Sequence, residues 1–377
     1  MFKKIICLLV VMMMLSNVLV VEANDIDMES GILIEATSKQ ALYQKDANKR
    51  LYPASTTKIM TMILLFEAIN NYEIAWNDKL TCSSYASSMG GSQVYLEKNE
   101  VMSVEELFKC IAIASANDAC VMLGEGIAGD IKSFVSMMND KAKELELVNT
   151  HFENCTGLHH SNHYSCARDL AMMASYLLEI GGDKLLSVTS LYDSYIRERA
   201  KEKFWLVNTN KLLKQYKGID GLKTGYTKKA GYCMVSTCKR NGMRLIGVLM
   251  KEKTPKERNE KMKDLLDYGY SNYVKKSIYH KDEVIDRLEI NDLFLQKIEV
   301  VCRDNIYCIN NRKDNYKLVK KIKYDNLSLP IDYHKGIGKL LLYRGNEVIG
   351  SYDVYSRHSV DKLGLIDKVK RIFMMMY

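Results

Sequence analysis

One short segment of the sequence carries residues suited to nucleophilic catalysis. Ser55 and Lys58 lie three positions apart, just after Pro53 and at the start of an apolar helical pattern, so a helix would place both side chains on one face. A serine hydroxyl is a poor nucleophile until a base takes its proton, and a lysine that burial keeps uncharged can serve as that base. The helix N-terminus adds partial positive charge where an oxyanion would form. By itself, however, the pattern fits a serine helix cap beside a solvated lysine better than it fits a catalytic pair.

Two further motifs change that balance. Ser115-Ala116-Asn117 lies between two helical patterns, and Lys223-Thr224-Gly225 lies at the start of a predicted strand. Each motif is weak alone. The three together, in this order along the chain, match the motif set of penicillin-binding proteins and serine β-lactamases, and this joint occurrence is a strong signal.

The elements around these motifs predict an α+β fold. A hairpin is expected over residues 31–46, and a second one where Gly231–Cys238 and Met243–Met250 meet around Asn241-Gly242. A strand, a helical block, further strands and a final helix describe an antiparallel sheet flanked by helices. Helical periodicity covers Ile59–Ile69, Val104–Ala114, Ala119–Ala128, Ile131–Leu145, Ser165–Ile180, which opens at a Ser165 cap and closes at Gly181-Gly182, and about Pro255–Asn272.

The last hundred or so residues show a different sequence pattern. Short alternating segments beyond about Lys276 predict a small all-β domain, so we expect a catalytic domain at residues 24–276 and a β-rich domain at residues 277–360. Residues 361–377 predict an amphipathic helix with apolar residues on one side and basic residues on the other. Such a helix favours an anionic membrane interface, and the alternative is packing on its own domain.

The N-terminus predicts export. Lys3 and Lys4 precede an apolar run from Ile5 to Leu15, and Val21-Glu22-Ala23 suits signal peptidase, so residues 1–23 are interpreted as a signal peptide. A retained anchor is the alternative, although the run is shorter than the ~20 residues that a spanning helix needs. We therefore expect a protein on the outer face of the cytoplasmic membrane.

Composition narrows the function classes. The chain has 377 residues, of which 47% are hydrophobic and 27% charged, and this excludes collagen-like and wholly disordered proteins. The formal net charge of +8 suits a nearby anionic surface but is too diffuse to indicate nucleic-acid binding. No metal or other cofactor is expected: His159, His160 and His163 lack an accompanying HExxH motif, and no CxxC is present. Cys302 and Cys308 flank a polar turn and could either pair or stay free.

A family resemblance covers about residues 25–275. Residues Tyr52–Thr61, Ser115–Ala119, His163–Ser165, Asn208–Lys211 and Asp220–Thr227 resemble the D-alanyl-D-alanine carboxypeptidases, the low-molecular-mass penicillin-binding proteins. The resemblance implies a β-lactamase/DD-peptidase-like fold and a substrate of peptidoglycan stem pentapeptides that end in D-Ala-D-Ala. It also implies an acyl-enzyme and β-lactam antibiotics as covalent inhibitors.

The resemblance also implies roles for the motif residues. Ser55 would attack the penultimate D-alanine carbonyl and Lys58 would take its proton, which the spacing of the two residues also makes possible. Ser115 would relay a proton towards the leaving D-alanine, and Asn117 would hydrogen-bond the substrate backbone. The backbone N–H groups of Ser55 and Tyr226 would form an oxyanion hole.

Four further residues are assigned to the substrate's terminal carboxylate or its approach. Lys223 would add positive charge that also keeps Lys58 neutral, Thr224 would contribute a hydroxyl, and Gly225 would let the substrate approach the strand closely. Arg258 matches a family arginine near the carboxylate pocket, with a surface charge as the alternative. Cys166 replaces a residue that is more often threonine in the family, which we interpret as a packing change.

Two other functions use the same motifs as a carboxypeptidase. A serine β-lactamase shares the motifs but needs a glutamate-activated water. The expected E-x-x-L-N element is absent, because Glu144–Val148 places Val148 where the asparagine should be. A non-catalytic penicillin-binding module would require loss of a motif residue, and all the motif residues are present.

Overall fold

A computed structural model describes residues 26–197, 203–290, 296–314 and 317–362, together with three single residues further on. The expected signal peptide and most of the expected terminal helix lie outside the described residues. The chain divides into two compact units: one comprises the residues up to Lys239 with Arg244–Tyr268, and the other comprises Arg240–Met243 and the residues from Gly269 onward. No helix in the described ranges is long and apolar enough to cross a membrane.

The described residues of the first unit contain nine strands, of which five form its main sheet in the order β2-β1-β9-β8-β7. Strand β1 pairs antiparallel with β2 and β9, and β7 pairs antiparallel with β8, as predicted. The predicted hairpin at Asn241-Gly242 is confirmed, with φ of 49° and 76° at these two residues, the left-handed conformation that a tight hairpin turn needs. The strands are β1 (Ser30–Glu35), β2 (Ala41–Lys45), β3 (Lys79–Thr81), β4 (Val101–Ser103), β5 (Asp193–Ile196), β6 (Phe204–Val207), β7 (Ile219–Thr227), β8 (Gly231–Arg240) and β9 (Met243–Glu252).

Seven α-helices accompany this sheet in the described part of the chain. The first is buried on nearly every side, which explains why its sequence is apolar all round instead of showing one apolar stripe. A 3₁₀ turn at Ala54–Thr57 leads into it, and a π-helical turn at Cys110–Ala114 follows the third helix. The helices are α1 (Lys58–Asn70), α2 (Ser84–Ser87), α3 (Val104–Lys109), α4 (Asn117–Ala128), α5 (Ile131–Glu144), α6 (Ala167–Thr189) and α7 (Pro255–Asn272).

Helix α6 differs from its prediction at both ends. Cys166, and not Ser165, is the N-cap, and its Sγ accepts a hydrogen bond from the N–H of Asp169 at 3.4 Å. The helix was also expected to close at Gly181-Gly182, but a second helical segment continues to Thr189 after a kink at Gly182 (φ 46°, ψ −137°). Glycine tolerates this conformation, and buried Leu185 and Val188 hold the continuation against the core.

The second unit is built from strands, as predicted. Five of them form an antiparallel sheet in the order β11-β12-β16-β15-β14, and β10 pairs with β13. Cys302 and Cys308 do not pair with each other, since both thiols are free and buried. The strands are β10 (Tyr273–Tyr279), β11 (Val284–Ile290), β12 (Gln296–Val301), β13 (Ile306–Asn311), β14 (Leu318–Tyr324), β15 (Gly336–Arg344) and β16 (Glu347–Ser356).

Candidate active site

The Ser55 and Lys58 side chains are in direct contact. Ser55 lies in the 3₁₀ turn and Lys58 opens α1, which brings Ser55 Oγ to 3.2 Å from Lys58 Nζ. Ala54, just before the serine, has a φ of 48°, a left-handed conformation that is uncommon for a residue with a Cβ. The chain therefore turns sharply at the point where it presents the Ser55 hydroxyl.

Lys58 is buried completely and is surrounded by acceptors. Its Nζ lies 2.7 Å from Asn117 Oδ1 and 2.8 Å from the carbonyl oxygen of Thr156. Burial lowers the pKa of Lys58 from its usual value because the charged form loses its hydration, while Cys120, Cys155 and then Asp118 act in the opposite direction. No carboxylate of the described residues forms an ion pair with this ammonium group. The site favours an uncharged amine.

The second motif forms the junction between two helices. Ser115 ends the π-helical turn with a φ of 62°, and Asn117 begins α4. Besides accepting from Lys58, Asn117 donates through Nδ2 to the carbonyl of Gly90 at 2.7 Å, which fixes the orientation of its amide. Ser115 Oγ is buried and has no hydrogen-bond partner among the described residues. A buried hydroxyl without a partner is rare, so this group is available to a ligand.

The third motif lies on β7 beside the nucleophile turn. A Cβ on Gly225 would come within 2.9 Å of the Ser55 backbone nitrogen, so only glycine lets the strand lie this close to that amide. Lys223 is buried, and its Nζ donates to the carbonyl of Thr224 at 3.0 Å. Burial, followed by repulsion from Lys58, holds the pKa of Lys223 well below its usual value. Thr224 Oγ1 donates to Thr209 Oγ1 at 2.7 Å.

Arg258 and Tyr226 were predicted from resemblance and have contrasting environments. Arg258 is buried, bonds the side chain of Asn259 at 2.8 Å, and has no acidic partner among the described residues. Burial lowers the pKa of Arg258, and repulsion from Arg258 helps to lower the pKa of Lys223. The surface-charge alternative for Arg258 is therefore wrong. Tyr226 is exposed and stacks on Tyr232 with ring centroids 4.3 Å apart.

Hydrogen bonds connect some of the predicted site residues but not others. Ser55, Lys58 and Asn117 are joined by hydrogen bonds, and Gly225 abuts the backbone of the same turn. In the described part of the chain, no hydrogen bond links Ser115 to this group.

Sequence reasoning missed three contributors to the site. Thr156 acts through its backbone carbonyl, which leaves no side-chain signal in a sequence. Asp118 accepts hydrogen bonds from the N–H groups of Val94 and Leu96 and so ties a loop to α4. Thr209 lies in the Asn208–Lys211 segment that carried part of the resemblance, but its bond to Thr224 had no counterpart in the sequence pattern.

Comparisons with known proteins agree with this geometry. A family model for D-alanyl-D-alanine carboxypeptidase matches residues 17–254, and a model for the penicillin-binding protein 5 C-terminal domain matches residues 273–362. The chain is 42% identical over 345 residues to the D-alanyl-D-alanine carboxypeptidase DacF of Bacillus subtilis, covering 91% of this chain and 88% of that protein.

Solved structures show the same likeness. Penicillin-binding protein 5 from Haemophilus influenzae has a TM-score of 0.77 and 27% identity, with coverage of 89% of this chain and 98% of that one. Penicillin-binding protein D2 from Listeria monocytogenes, in an ampicillin-bound form, has a TM-score of 0.58 and 30% identity over 64% of this chain and 97% of that one. The chain belongs to the D-alanyl-D-alanine carboxypeptidase family and is a serine-type carboxypeptidase, a hydrolase.

Proposed function

We propose that this enzyme removes the terminal D-alanine from peptidoglycan stem pentapeptides through an acyl-enzyme on Ser55. The observation that carries the proposal is the arrangement around Lys58. An uncharged amine has two N–H groups and one lone pair, and Asn117 and Thr156 supply acceptors for the two N–H groups. The lone pair is then left to accept from the Ser55 hydroxyl in the proposed state, and Ser55 Oγ lies 3.2 Å from Lys58 Nζ. This arrangement makes Lys58 a general base towards Ser55.

The reaction follows from that pairing. Lys58 takes the Ser55 proton as Oγ attacks the carbonyl carbon of the penultimate D-alanine, and the oxyanion is held by the N–H groups of Ser55 and Tyr226. Ser115, with its unpartnered hydroxyl, relays that proton from Lys58 to the leaving D-alanine nitrogen as the C–N bond breaks. Water then loses a proton to Lys58 as it adds to the ester carbonyl, the C–Oγ bond breaks, and Ser55 recovers a proton from Lys58.

Selectivity for a terminal carboxylate is assigned to the part of the site that contains Lys223 and Arg258. Lys223 and Arg258 are buried, and no acidic side chain of the described residues pairs with Arg258. An unpaired buried cation is costly, so a substrate carboxylate would relieve that cost on binding. Thr224 adds a hydroxyl to the same carboxylate, and Asn117 bonds the substrate backbone.

The decisive experiment is incubation with a pentapeptide that ends in D-Ala-D-Ala, followed by mass spectrometry. Loss of one alanine from the peptide is expected with the wild type. The Lys256→Ala variant, which changes an exposed side chain, should retain full activity. A protein that forms a β-lactam adduct but leaves the peptide intact would be a non-catalytic penicillin-binding module. Rapid turnover of the β-lactam without peptide cleavage would identify a β-lactamase.

We also propose that the mature enzyme lies on the outer face of the cytoplasmic membrane, held by the helix expected at residues 361–377. Apolar burial in the interface and basic residues near anionic lipid would both contribute, and salt should weaken only the second contribution. Deleting residues 361–377 should abolish sedimentation with anionic vesicles while cleavage of a soluble peptide continues. If the truncated protein still pellets like the intact one, the anchor assignment is wrong.

A further inference from the structure

A buried histidine outside the three motifs links two segments of the site. The loop between α5 and α6 includes residues 152–163, here called the 152–163 loop, and it ends at His163. This loop supplies the Thr156 carbonyl that accepts from Lys58. It also lies against the nucleophile turn, because a Cβ on Gly157 would clash with the carbonyl oxygen of Ala54. The loop is thus in backbone contact with the turn that presents Ser55.

The hydrogen bonds of His163 define its protonation state. Its Nδ1 accepts from the backbone N–H of Glu153 at 3.1 Å, which assigns the proton to Nε2, and Nε2 donates to Thr57 Oγ1 at 2.8 Å. The ring is 2% exposed, and burial, followed by repulsion from His151, His160, His159 and Lys58, lowers the pKa of His163 to about 3. The ring therefore stays neutral and keeps one donor and one acceptor.

These two hydrogen bonds join the nucleophile turn to the 152–163 loop, the two segments that meet at Lys58. Thr57 immediately precedes Lys58 in the chain, and Glu153 lies three residues before Thr156. We propose that His163 is a positioning residue that holds the 152–163 loop against the nucleophile turn and thereby keeps the Thr156 carbonyl on Lys58. The inference rests on the proposed role of Lys58 as the base.

The mechanism of this positioning is geometric. With the Thr156 carbonyl in place, one N–H of Lys58 is occupied and the lone pair remains directed at Ser55. Without the His163 bridge, the loop would be free to withdraw that carbonyl, and the Lys58 amine would turn away from Ser55. Misplacement of a catalytic group by about 1 Å is enough to cost about a hundredfold in rate.

A purely structural role is the competing explanation, because the His163 ring also packs edge-on against Phe152 with centroids 5.7 Å apart. Two substitutions separate the explanations. His163→Phe retains an aromatic ring against Phe152 but removes both hydrogen bonds. His163→Gln removes the ring but carries an amide with one acceptor and one donor. Positioning predicts that the glutamine variant is the more active, and packing predicts the reverse.

The experiment measures acylation by a β-lactam in the intact protein, separating the acylation rate constant from the dissociation constant of the complex that precedes it. His163→Phe should lower the rate constant about tenfold or more, with the dissociation constant almost unchanged, and His163→Gln should restore most of the rate. Exposed His160→Ala, on the same loop, should match the wild type. Met138→Ala, buried in α5, controls for a general loss of stability.

Thr57→Val provides a second route to the same bond if His163→Phe does not fold. It should slow acylation similarly, and combining it with His163→Phe should add little, because both changes break one interaction. Acylation of His163→Phe at the wild-type rate, or equal slowing by phenylalanine and glutamine, would overturn the positioning role. Failure of the wild type to acylate Ser55 would instead overturn the proposed function, so the two failures are distinguishable.

Discussion

The two units of the chain differ in what they bury. The catalytic unit buries two lysines and an arginine, Lys58, Lys223 and Arg258, and the pKa of each is lowered by that burial. The second unit has a core of aliphatic residues and cysteine, and Ser356 is its one buried polar side chain among the described residues. Its charged side chains pair at the surface, as Lys339 and Asp353 do at 2.9 Å.

This difference in buried groups predicts which substitutions change the catalytic rate and which change stability. Removing a lysine from water costs free energy and lowers its pKa, and at Lys58 the nearby Asp118 carboxylate opposes this effect only in part. In the proposed mechanism, this burial provides an uncharged base. Exposed ion pairs such as Lys339 with Asp353 contribute about 0–1 kcal/mol. We therefore expect substitutions of buried polar groups in the catalytic unit to change rates, and core substitutions in the second unit to change stability alone.

The largest expected effect is that of Ser55→Ala. Without the nucleophile, the covalent β-lactam adduct should disappear and peptide cleavage should fall by about 10³-fold or more, while the fold persists because the change removes one oxygen. Intact mass and peptide mapping measure the adduct. An adduct mapped to Ser115 in the wild type would contradict the mechanism.

Substitution of Lys58 should come next, with a loss of acylation of about 10²–10⁴-fold. Lys58→Arg should fail as Lys58→Ala does, because a guanidinium does not lose its proton near neutral pH. The lowered pKa of Lys58 also sets the pH dependence: lowering the pH protonates the amine, so wild-type acylation should decline on the acidic side. Full acylation by the arginine variant would show that another group activates Ser55.

Gly225→Ala should have an intermediate effect. Its new Cβ would lie 2.9 Å from the Ser55 nitrogen, so the strand or the turn must shift and acylation should slow by about tenfold to a hundredfold. Gly336→Ala in the second unit is the matched control, since its Cβ would meet nothing closer than 3.9 Å. Acylation rates that are equal for the two variants would remove the steric argument for the third motif.

The smallest expected effect on catalysis is that of Leu340→Ala in the second unit. Leu340 is fully buried in β15, so its truncation should lower the free energy of unfolding of that unit by about 2–5 kcal/mol through loss of packing and a residual cavity. Acylation of Ser55 should stay at the wild-type rate. Urea unfolding measures the loss of stability, and adduct formation measures the acylation rate. A loss of acylation in parallel with the loss of stability would contradict the proposed difference between the two units.

Much of the architecture was predictable because it depends on local patterns. The helix at Pro255–Asn272 and the hairpin around Asn241-Gly242 agree with the sequence, since helical periodicity and left-handed turn residues are short-range signals. The antiparallel pairing of β5 with β6 was not predicted. Helix α6 was ended too early, because tertiary packing of Leu185 and Val188 outweighed the glycine signal at Gly181-Gly182.

By itself, the sequence determined which side chains are available for chemistry and placed Ser55 and Lys58 one helical turn apart. The three-residue spacing is a local property, so it required no knowledge of the fold. Only the tertiary structure decided the electrostatic state of Lys58, through burial and through the Thr156 carbonyl, which lies 98 positions away in the chain. Desolvation and backbone acceptors depend on which distant segments pack together, and no side-chain pattern encodes a carbonyl that every residue possesses.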